Sequence, residues 1–319
     1  MGLKRKKSRH ITEDTTTTLR TSIEKINGAM IKHAREIAHE IEASAFLVYV
    51  DLIKSRKNME ALIKGGGCIL AARVQDVIDD LNVMGGLKDR IIHVPYLNLT
   101  RLSQVKVGAI LALSNRLIKI GDRLVCLSGS LKTGILDFLM VIEIGGEFEA
   151  LLPKDPALPN QAEFSHVFDR LLTLSIELAG EGKEGKPLGT IFVLGDHEKV
   201  VELSSQMVFN PFANVPEGER NILDPGLKET IREFASIDGA FIIRDDGVVL
   251  AAGRHLKAST EDADLPQGLG AKHRAAAGIT ALTNALAIVI SESTGDVRIF
   301  SKGKIFMEIE KAAREQATS

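Results

Sequence analysis

The 319 residues predict an α/β protein in two parts: a mostly parallel three-layer α/β domain, followed by an α/β domain whose mixed sheet is flanked by helices. Three observations lead there. A single hydrophobic core tends to stop growing below this length, so the chain divides. In the first half, segments with a helical apolar period alternate with short apolar runs, the order of a parallel sheet with crossover helices. The stretch Leu152-Pro153-Lys154-Asp155-Pro156-Ala157-Leu158-Pro159 has three prolines in seven positions, which excludes helix and sheet interior and marks a boundary. The expected layout is a disordered basic, Thr-rich tail over 1–18, a first domain over 19–151, a linker over 152–160 and a second domain over 161–319.

Each element has its own signal. The tail carries Lys4, Arg5, Lys6, Lys7 and Arg9 ahead of Thr15 to Thr18, too little apolar surface to order itself. Ile23, Ile26, Met30, Ile37 and Ile41 recur at helical spacing and predict a helix over 19–42. Strand 46–50, helix 59–64, strand 69–72, helix 74–83, strand 91–94, helix 102–120 and strands 124–127 and 138–144 follow. Gly65-Gly66-Gly67 lacks the Lys-Ser/Thr of a phosphate loop and precedes a strand, so it reads as a turn. Past the boundary, Phe164, Val167, Phe168, Leu171, Leu172, Leu174 and Leu178 predict a helix over 164–178. A loop over 180–189, strand 191–194, a segment over 200–208 and a helix over 227–234 opened by Asp224-Pro225 come next.

Composition excludes some function classes. The net charge of -2 exerts no global pull on nucleic acid or anionic lipid, and no helix-turn-helix or basic groove pattern is present, which disfavours a DNA-binding regulator. Cys68 and Cys126 sit in apolar runs without CxxC spacing and read as buried reduced thiols rather than a zinc site or disulfide. No apolar run approaches the roughly 18 residues that span a bilayer, and the basic N-terminus is not followed by a signal core. No membrane association and a cytoplasmic location are expected.

The chemistry-bearing residues lie in three places. Ile237-Asp238-Gly239-Ala240-Phe241 puts a carboxylate at the mouth of an apolar strand, with a glycine after it that leaves room for a ligand to approach the backbone. Alone, it reads more plainly as an Asp closing a turn. In Gly270-Ala271-Lys272-His273-Arg274 a glycine turn opens a helix running to about 286, so a cationic cluster joins free backbone N–H groups, with no acidic neighbour in the motif. Such a first turn opposes the helix dipole unless an anion sits there. A solvated basic turn explains it equally well in isolation. Ala275, Ala276, Ala277 and Gly278 read as close helix-to-sheet packing. Strand 287–290 delivers Ser291, Glu292 and Ser293 to the same end of the sheet, and Thr294-Gly295-Asp296 turns into a hairpin toward 297–300. His255 has no nucleophile partner at a recognisable spacing, and Glu261, Asp262 and Asp264 read as a solvated acidic loop.

Asp238-Gly239-Ala240, Gly270-Ala271-Lys272-His273-Arg274 and Ser291-Glu292-Ser293-Thr294-Gly295, in that order, resemble the catalytic domain of diadenylate cyclases. The resemblance covers about 160–308 and includes the strand from Thr190 to Asp196; Met207 to Phe212 looks like the archaeal-type members. It implies that two ATP molecules are joined into cyclic di-AMP, with release of two pyrophosphates. It implies catalytic roles for Asp238, Gly239 and Ala240, with a divalent metal, Mn²⁺ or Mg²⁺, on Asp238. Gly270, Ala271, Lys272, His273 and Arg274 would hold the triphosphate, Ser291 would contact phosphate, Glu292 would lie near the nucleotide, and the backbone of Leu256 would meet adenine. A homo-oligomer with head-to-head catalytic domains is the implied partner arrangement. Ala271-Lys272 stands where many members have Thr-Arg, which removes a hydroxyl and a bidentate guanidinium. That departure motivates the alternative of a weak or inactive sensor binding ATP or cyclic di-AMP. The first half resembles the C-terminal α/β domain of pyruvate kinase in Ala34 to Ala38, Phe46 to Val50 and Gly121 to Val125, and this likeness brings no catalytic residues.

Overall fold

The computed structural model describes residues 3–83, 88–95, 97–145, 161–183, 187–258, 266 and 268–312, and these form two compact units. One comprises Met1–Val94 and Gly108–Ile144, the other Pro95–Val107 and Gly145–Ser319. The expected linker over 152–160 lies outside the described residues.

The first unit is built from α1 (Leu3–Glu40), β1 (Ala45–Tyr49), α2 (Arg56–Lys64), β2 (Cys68–Ala72), α3 (Gln75–Val83), β3 (Ile91–His93), part of α4 (Arg101–Ser114), β4 (Arg123–Ser130) and β5 (Ile135–Glu143). Its sheet has the order β3-β2-β1-β4-β5, parallel throughout except for β5, which returns antiparallel to β4. Alternation along the strands sends Phe46, Val48, Leu70, Val125 and Leu127 toward Ile31 and Ala34 of α1 and Met59 and Leu62 of α2. Leu47 points the other way, against Gly108 of α4, where an added Cβ would lie 3.0 Å from its Cδ1. Helices therefore cover both faces, as the alternating pattern predicts. Buried Asn27 ties α1 to the sheet: its amide donates to the carbonyls of Leu52 (3.0 Å) and Gly134 (2.9 Å) and accepts from Leu136 N–H (2.8 Å). At the ends of β1 and β2, buried Asp51 accepts from the Arg73 and Val74 backbones and from Arg73 Nε at 3.0 Å.

Two boundaries differ most from expectation, both in helices. Helix α1 starts at Leu3, not near 19, and runs through the segment expected to be a disordered tail. No glycine or proline interrupts residues 3–27, and Lys and Arg are good helix formers, so nothing breaks the helix at the Thr tract. Helix α4 stops at Ser114 rather than near 120, because Arg116 takes a φ of +57° and Leu117 N–H closes onto Ala112 O at 2.9 Å. Gly66 and Gly67, at φ of +64° and +61°, make the expected turn between α2 and β2. Both thiols are buried and free, and burial pushes that of Cys126 up to about 12.

The second unit contains α5 (Gln161–Glu181), β6 (Thr190–Leu194), α6 (His197–Glu202), β7 (Ser204–Gln206), α7 (Leu227–Phe234), β8 (Ala240–Ile243), β9 (Val249–Leu256), α8 (Ala271–Leu282), β10 (Leu286–Ile290), β11 (Val297–Ser301) and β12 (Lys304–Ile309). The sheet order is β12-β11-β10-β6-β8-β9-β7; β6 and β8 are parallel and the other neighbours antiparallel, the expected mixed sheet. One face packs Ile191, Val193, Ala240, Ile242, Ala287 and Val289 against Ala276, Ala277 and Ile279 of α8. Phe192 and Phe241 stand on the other face with ring centroids 5.1 Å apart, and Phe241 continues to Phe212 at 6.3 Å. The segment over 200–208 resolves into the end of α6 and the short β7, joined to β9 by Arg254, whose Nε donates to Ser204 Oγ at 2.8 Å. At the end of β12 Lys106 Nζ donates to Glu308 O (2.8 Å), and just past it Thr100 N–H donates to Glu310 O (3.2 Å) and Leu99 pairs with Lys311. These bonds group 95–107 with this unit, although periodicity alone assigns the segment to the first domain. Among the described residues, no helix is long and apolar enough to cross a membrane.

Helix α8 packs closely at Gly278. A Cβ on Gly278 would sit 2.0 Å from Ala258 O and 2.7 Å from Ala258 C. The close packing expected of the Ala-Ala-Ala-Gly run is thus a backbone-to-backbone contact. Helix propensity alone would make Gly278→Ala stabilising by about 1 kcal/mol. We predict the opposite sign, a loss of about 1–3 kcal/mol from overpacking, read as a lower urea midpoint at unchanged m-value. A variant as stable as the parent would show that the contact yields freely.

Candidate functional site

The start of β8, the ends of β9 and β10 and the start of β6 lie at one end of the second sheet, since Ala240 pairs with Arg254 and Ile191, and Ile290 with Thr190. Asp238 precedes β8 with its side chain 82% exposed. Gly239, at a φ of +111°, is pressed against β9: an added Cβ would lie 2.6 Å from Gly253 C and 2.7 Å from Arg254 N. The room expected for a ligand is taken by the neighbouring strand. Pairing jumps from Ala240–Arg254 to Ile242–Ala251, so β9 bulges there, with Gly253 at a φ of +68°. Ala240 is fully buried against α8. Of the three residues of this motif, Asp238 alone offers a reactive group; Gly239 and Ala240 shape the chain that carries it.

Helix α8 begins after Gly270, which has no side chain with which to cap it. The N–H groups of His273 and Arg274 turn back to Gly270 O at 3.1 and 3.3 Å. Lys272 reaches across the end of the sheet, its Nζ 3.4 Å from Asp238 Oδ1 and 3.3 Å from Glu292 Oε2. The acidic neighbours that the second motif lacks are supplied by the first and third. Arg274 donates from Nη1 to Leu269 O at 2.8 Å and remains exposed.

His273 overturns the expectation of a three-cation cluster. Helical rotation turns it inward between two outward residues, leaving it 6% exposed, with its ring 6.1 Å from that of Phe300. Its Nε2 lies 3.0 Å from Arg298 Nη1. Burial, and then the Arg298 charge, push its pKa down to about 4 against a weaker opposing pull from Glu308, so the ring is neutral near pH 7.

At the end of β10, Ser291 is 3% exposed and serves the hairpin. Its N–H donates to Asp296 O (2.9 Å), its carbonyl accepts from Gly295 N–H (2.8 Å), and its Oγ lies 3.1 Å from Ser293 Oγ. Glu292 is exposed, with Gly189 beneath it so tightly that a Cβ there would come 2.5 Å from Glu292 Cβ. Sequence reading leaves Gly189 in a plain loop; its one signal is a glycine directly before a buried strand. Gly270, Ala271, Lys272, His273, Ser291 and Glu292 line one cavity of about 380 Å³, within the size range of small-molecule sites. Asp238 reaches it through Lys272. Leu256 does not line it: the residue closes β9 opposite Ser204, with its side chain in the core. The acidic loop of Glu261, Asp262 and Asp264 lies outside the described residues.

A cavity of about 600 Å³ in the first unit, between α1 and α2, is lined by Ile31, Lys32, Arg35, His39 and Asn58 among others, and carries none of the three motifs.

No group of three or more His, Cys, Asp or Glu converges on a metal position among the described residues. Two exposed carboxylates, Asp238 and Glu292, beside a cationic site nevertheless fit Mg²⁺-type binding, in which one or two carboxylates and the substrate phosphates hold the ion. Asp238 is the one expected from the sequence to contribute.

Residues 177–305 match the family described as DisA bacterial checkpoint controller nucleotide-binding, and residues 27–152 match the one described as "Probable sensor domain DacZ_P". The chain is 32% identical over 302 residues to a diadenylate cyclase of Methanocaldococcus jannaschii, covering 89% of this chain and 96% of the relative. It is 34% identical over 210 residues to a diadenylate cyclase of Haloferax volcanii, across 66% of this chain and 76% of that protein. A shorter match, 35% over 79 residues, is to the cyclic di-AMP synthase CdaA of Bacillus subtilis, 25% of this chain and 28% of that one.

The depressed pKa of His273 makes stability depend on pH. Folding lowers the value from 6.5 to about 4, so the unfolded chain binds the extra proton in that window. The stabilisation is complete above pH 6.5 and is lost as pH falls toward 4. Relative to His273→Gln, the wild type is predicted to lose on the order of 2–3 kcal/mol more across this interval in urea unfolding. Identical pH slopes in the two proteins would show that the ring is not buried neutral.

Proposed function

Because the chain belongs to the diadenylate cyclase family, we propose that it joins two ATP molecules into cyclic di-AMP, releasing two pyrophosphates, at a site completed by a second copy. The observation that carries this reading is the convergence of three separate motifs on the Lys272 ammonium. Exposed ion pairs are worth about 0–1 kcal/mol, so Lys272 exchanges carboxylate for phosphate at little cost. Binding of the triphosphate frees Asp238 and Glu292 from it.

Lys272 and Arg274, with the leading N–H groups of α8, hold the triphosphate in this reading. Ser291 contacts phosphate from the hairpin and Glu292 lies near the nucleotide, whereas the adenine contact expected of the Leu256 backbone would fall outside this cavity. Asp238 would hold a divalent metal, Mn²⁺ or Mg²⁺, which when bound would neutralise phosphate charge and polarise the α-phosphorus. The same carboxylate would help take up the proton of the attacking 3′-hydroxyl. Each 3′-oxygen forms a bond to the other nucleotide's α-phosphorus as the bond to the β-phosphate oxygen breaks and pyrophosphate leaves. Positioning supplies most of the rate in such transfers. One copy presents one set of motifs, so the two nucleotides require two sets facing each other. The first unit, with no motif of its own and a likeness to a sensor-domain family, is assigned to assembly or regulation. A cytoplasmic location, with access to ATP, fits this reading.

Incubation of the pure protein with ATP and Mn²⁺ or Mg²⁺ is expected to yield cyclic di-AMP by mass. Asp238→Asn, nearly isosteric but uncharged, is expected to bind ATP, remain folded and give no product. ATP binding without product in the wild type would replace the cyclase reading with that of a nucleotide sensor.

Lys272→Ala should weaken ATP binding by about 1–3 kcal/mol in calorimetry, the range for a charge-assisted hydrogen bond. Unchanged affinity would reduce the cluster to a solvated turn.

A further inference from the structure

We propose that Arg298 is a positioning residue that fixes the tautomer of His273, so that the ring offers a neutral Nδ1–H donor to a phosphate oxygen of the bound nucleotide. The inference rests on the nucleotide reading of the site and adds a residue from outside its three motifs. Arg298 lies on β11, its side chain 13% exposed, with Nη1 3.0 Å from His273 Nε2. Its charge is balanced by an ion pair to Glu308 and by Asp296 at 3.9 Å. A guanidinium only donates and keeps its protons in proteins. Nε2 is therefore the acceptor, and the single proton of the neutral ring resides on Nδ1.

That second nitrogen carries the argument further. His273 Nδ1 is buried and has no hydrogen-bond partner among the described residues, while His273 lines the cavity shared by the second and third motifs. An unpaired buried donor is destabilising until an acceptor arrives. The acceptor that matches Lys272, Arg274 and a helix N-terminus is anionic oxygen. A neutral ring between two cations adds a directed hydrogen bond without a third repelling charge. The depressed basicity of His273 agrees with this state.

The test is nitrogen-15 NMR of histidine-labelled protein near pH 7.5, with the His273 signals among the eight histidines assigned by their loss in His273→Gln. In the nucleotide-free wild type, Nδ1 should be of the protonated type and Nε2 of the unprotonated type. Arg298→Met should move the proton to Nε2 and weaken ATP binding about threefold to tenfold in metal-free calorimetry, the scale of one neutral hydrogen bond. Arg298→Lys, which retains a donor, should restore the wild-type pattern and part of the affinity, and it serves as the reporter should the Met variant not fold. A wild-type ring protonated on Nε2 would overturn the proposal. So would lost affinity with an unchanged ring spectrum, since Arg298 would then act only on structure, or a moved proton with unchanged affinity. Absence of any ATP binding to the wild type would defeat the functional reading itself, an outcome separate from the spectrum of the free protein.

Discussion

The contact between Gly278 and the carbonyl of Ala258 governs where α8 can lie, and the position of α8 governs the site. With alanines at 276 and 277 facing the sheet, the helix descends until backbone meets backbone. At that depth its first turn is level with the start of β8 and the end of β10. A bulkier residue at 278 would lift the axis and carry Lys272 away from Asp238 and Glu292. A second close contact works in the same direction. Gly239 lets β8 begin flush against the bulge of β9, which places Asp238 at the motif end of the sheet. Two glycines, neither of them chemically active, thus set the distances on which the charged groups depend.

The charges are arranged in depth. Asp238 and Glu292 are largely exposed and Lys272 is partly covered, so that triad is weakly coupled and easily rearranged. Beneath it lies a tighter set, His273 and Arg298 largely screened from water and Glu308 partly exposed at its rim. The outer layer can exchange partners with an anionic ligand. The inner layer holds the turn from which that exchange is made.

Much of this was legible in the residues. The alternating pattern of the first half predicts its sheet because strands buried on both faces read as continuous apolar runs, as in Phe46 to Val50. The three motifs are visible as carboxylate, cation cluster and hydroxyl-acid turn, and they do meet. What escaped depends on distant partners. His273 reads as a cation beside Lys272 and Arg274 because its burial is set by β11, and Arg298 lies 25 residues further on. Gly239 reads as ligand space because the bulge of β9 that fills it is marked only by Gly253, in a strand whose pairing with β8 the sequence does not show. Helix α1 reads as starting late because polar residues blur the apolar period while still permitting helix.

The two margins of the second sheet are closed by different means. Strand β7 is three residues long, held by Arg254 to the strand inside it. At the far side, Glu308 of β12 and Glu310 and Lys311 just past its end are engaged by residues 99–106, so those main-chain groups are already occupied. Long bare margins invite another chain to add itself as a strand, the usual route to fibres and runaway stacking. This sheet offers little for that. Association by backbone zippering is disfavoured at these margins, so the head-to-head arrangement proposed above would rest on side chains and bound nucleotide at the motif end rather than on hydrogen bonding common to every polypeptide.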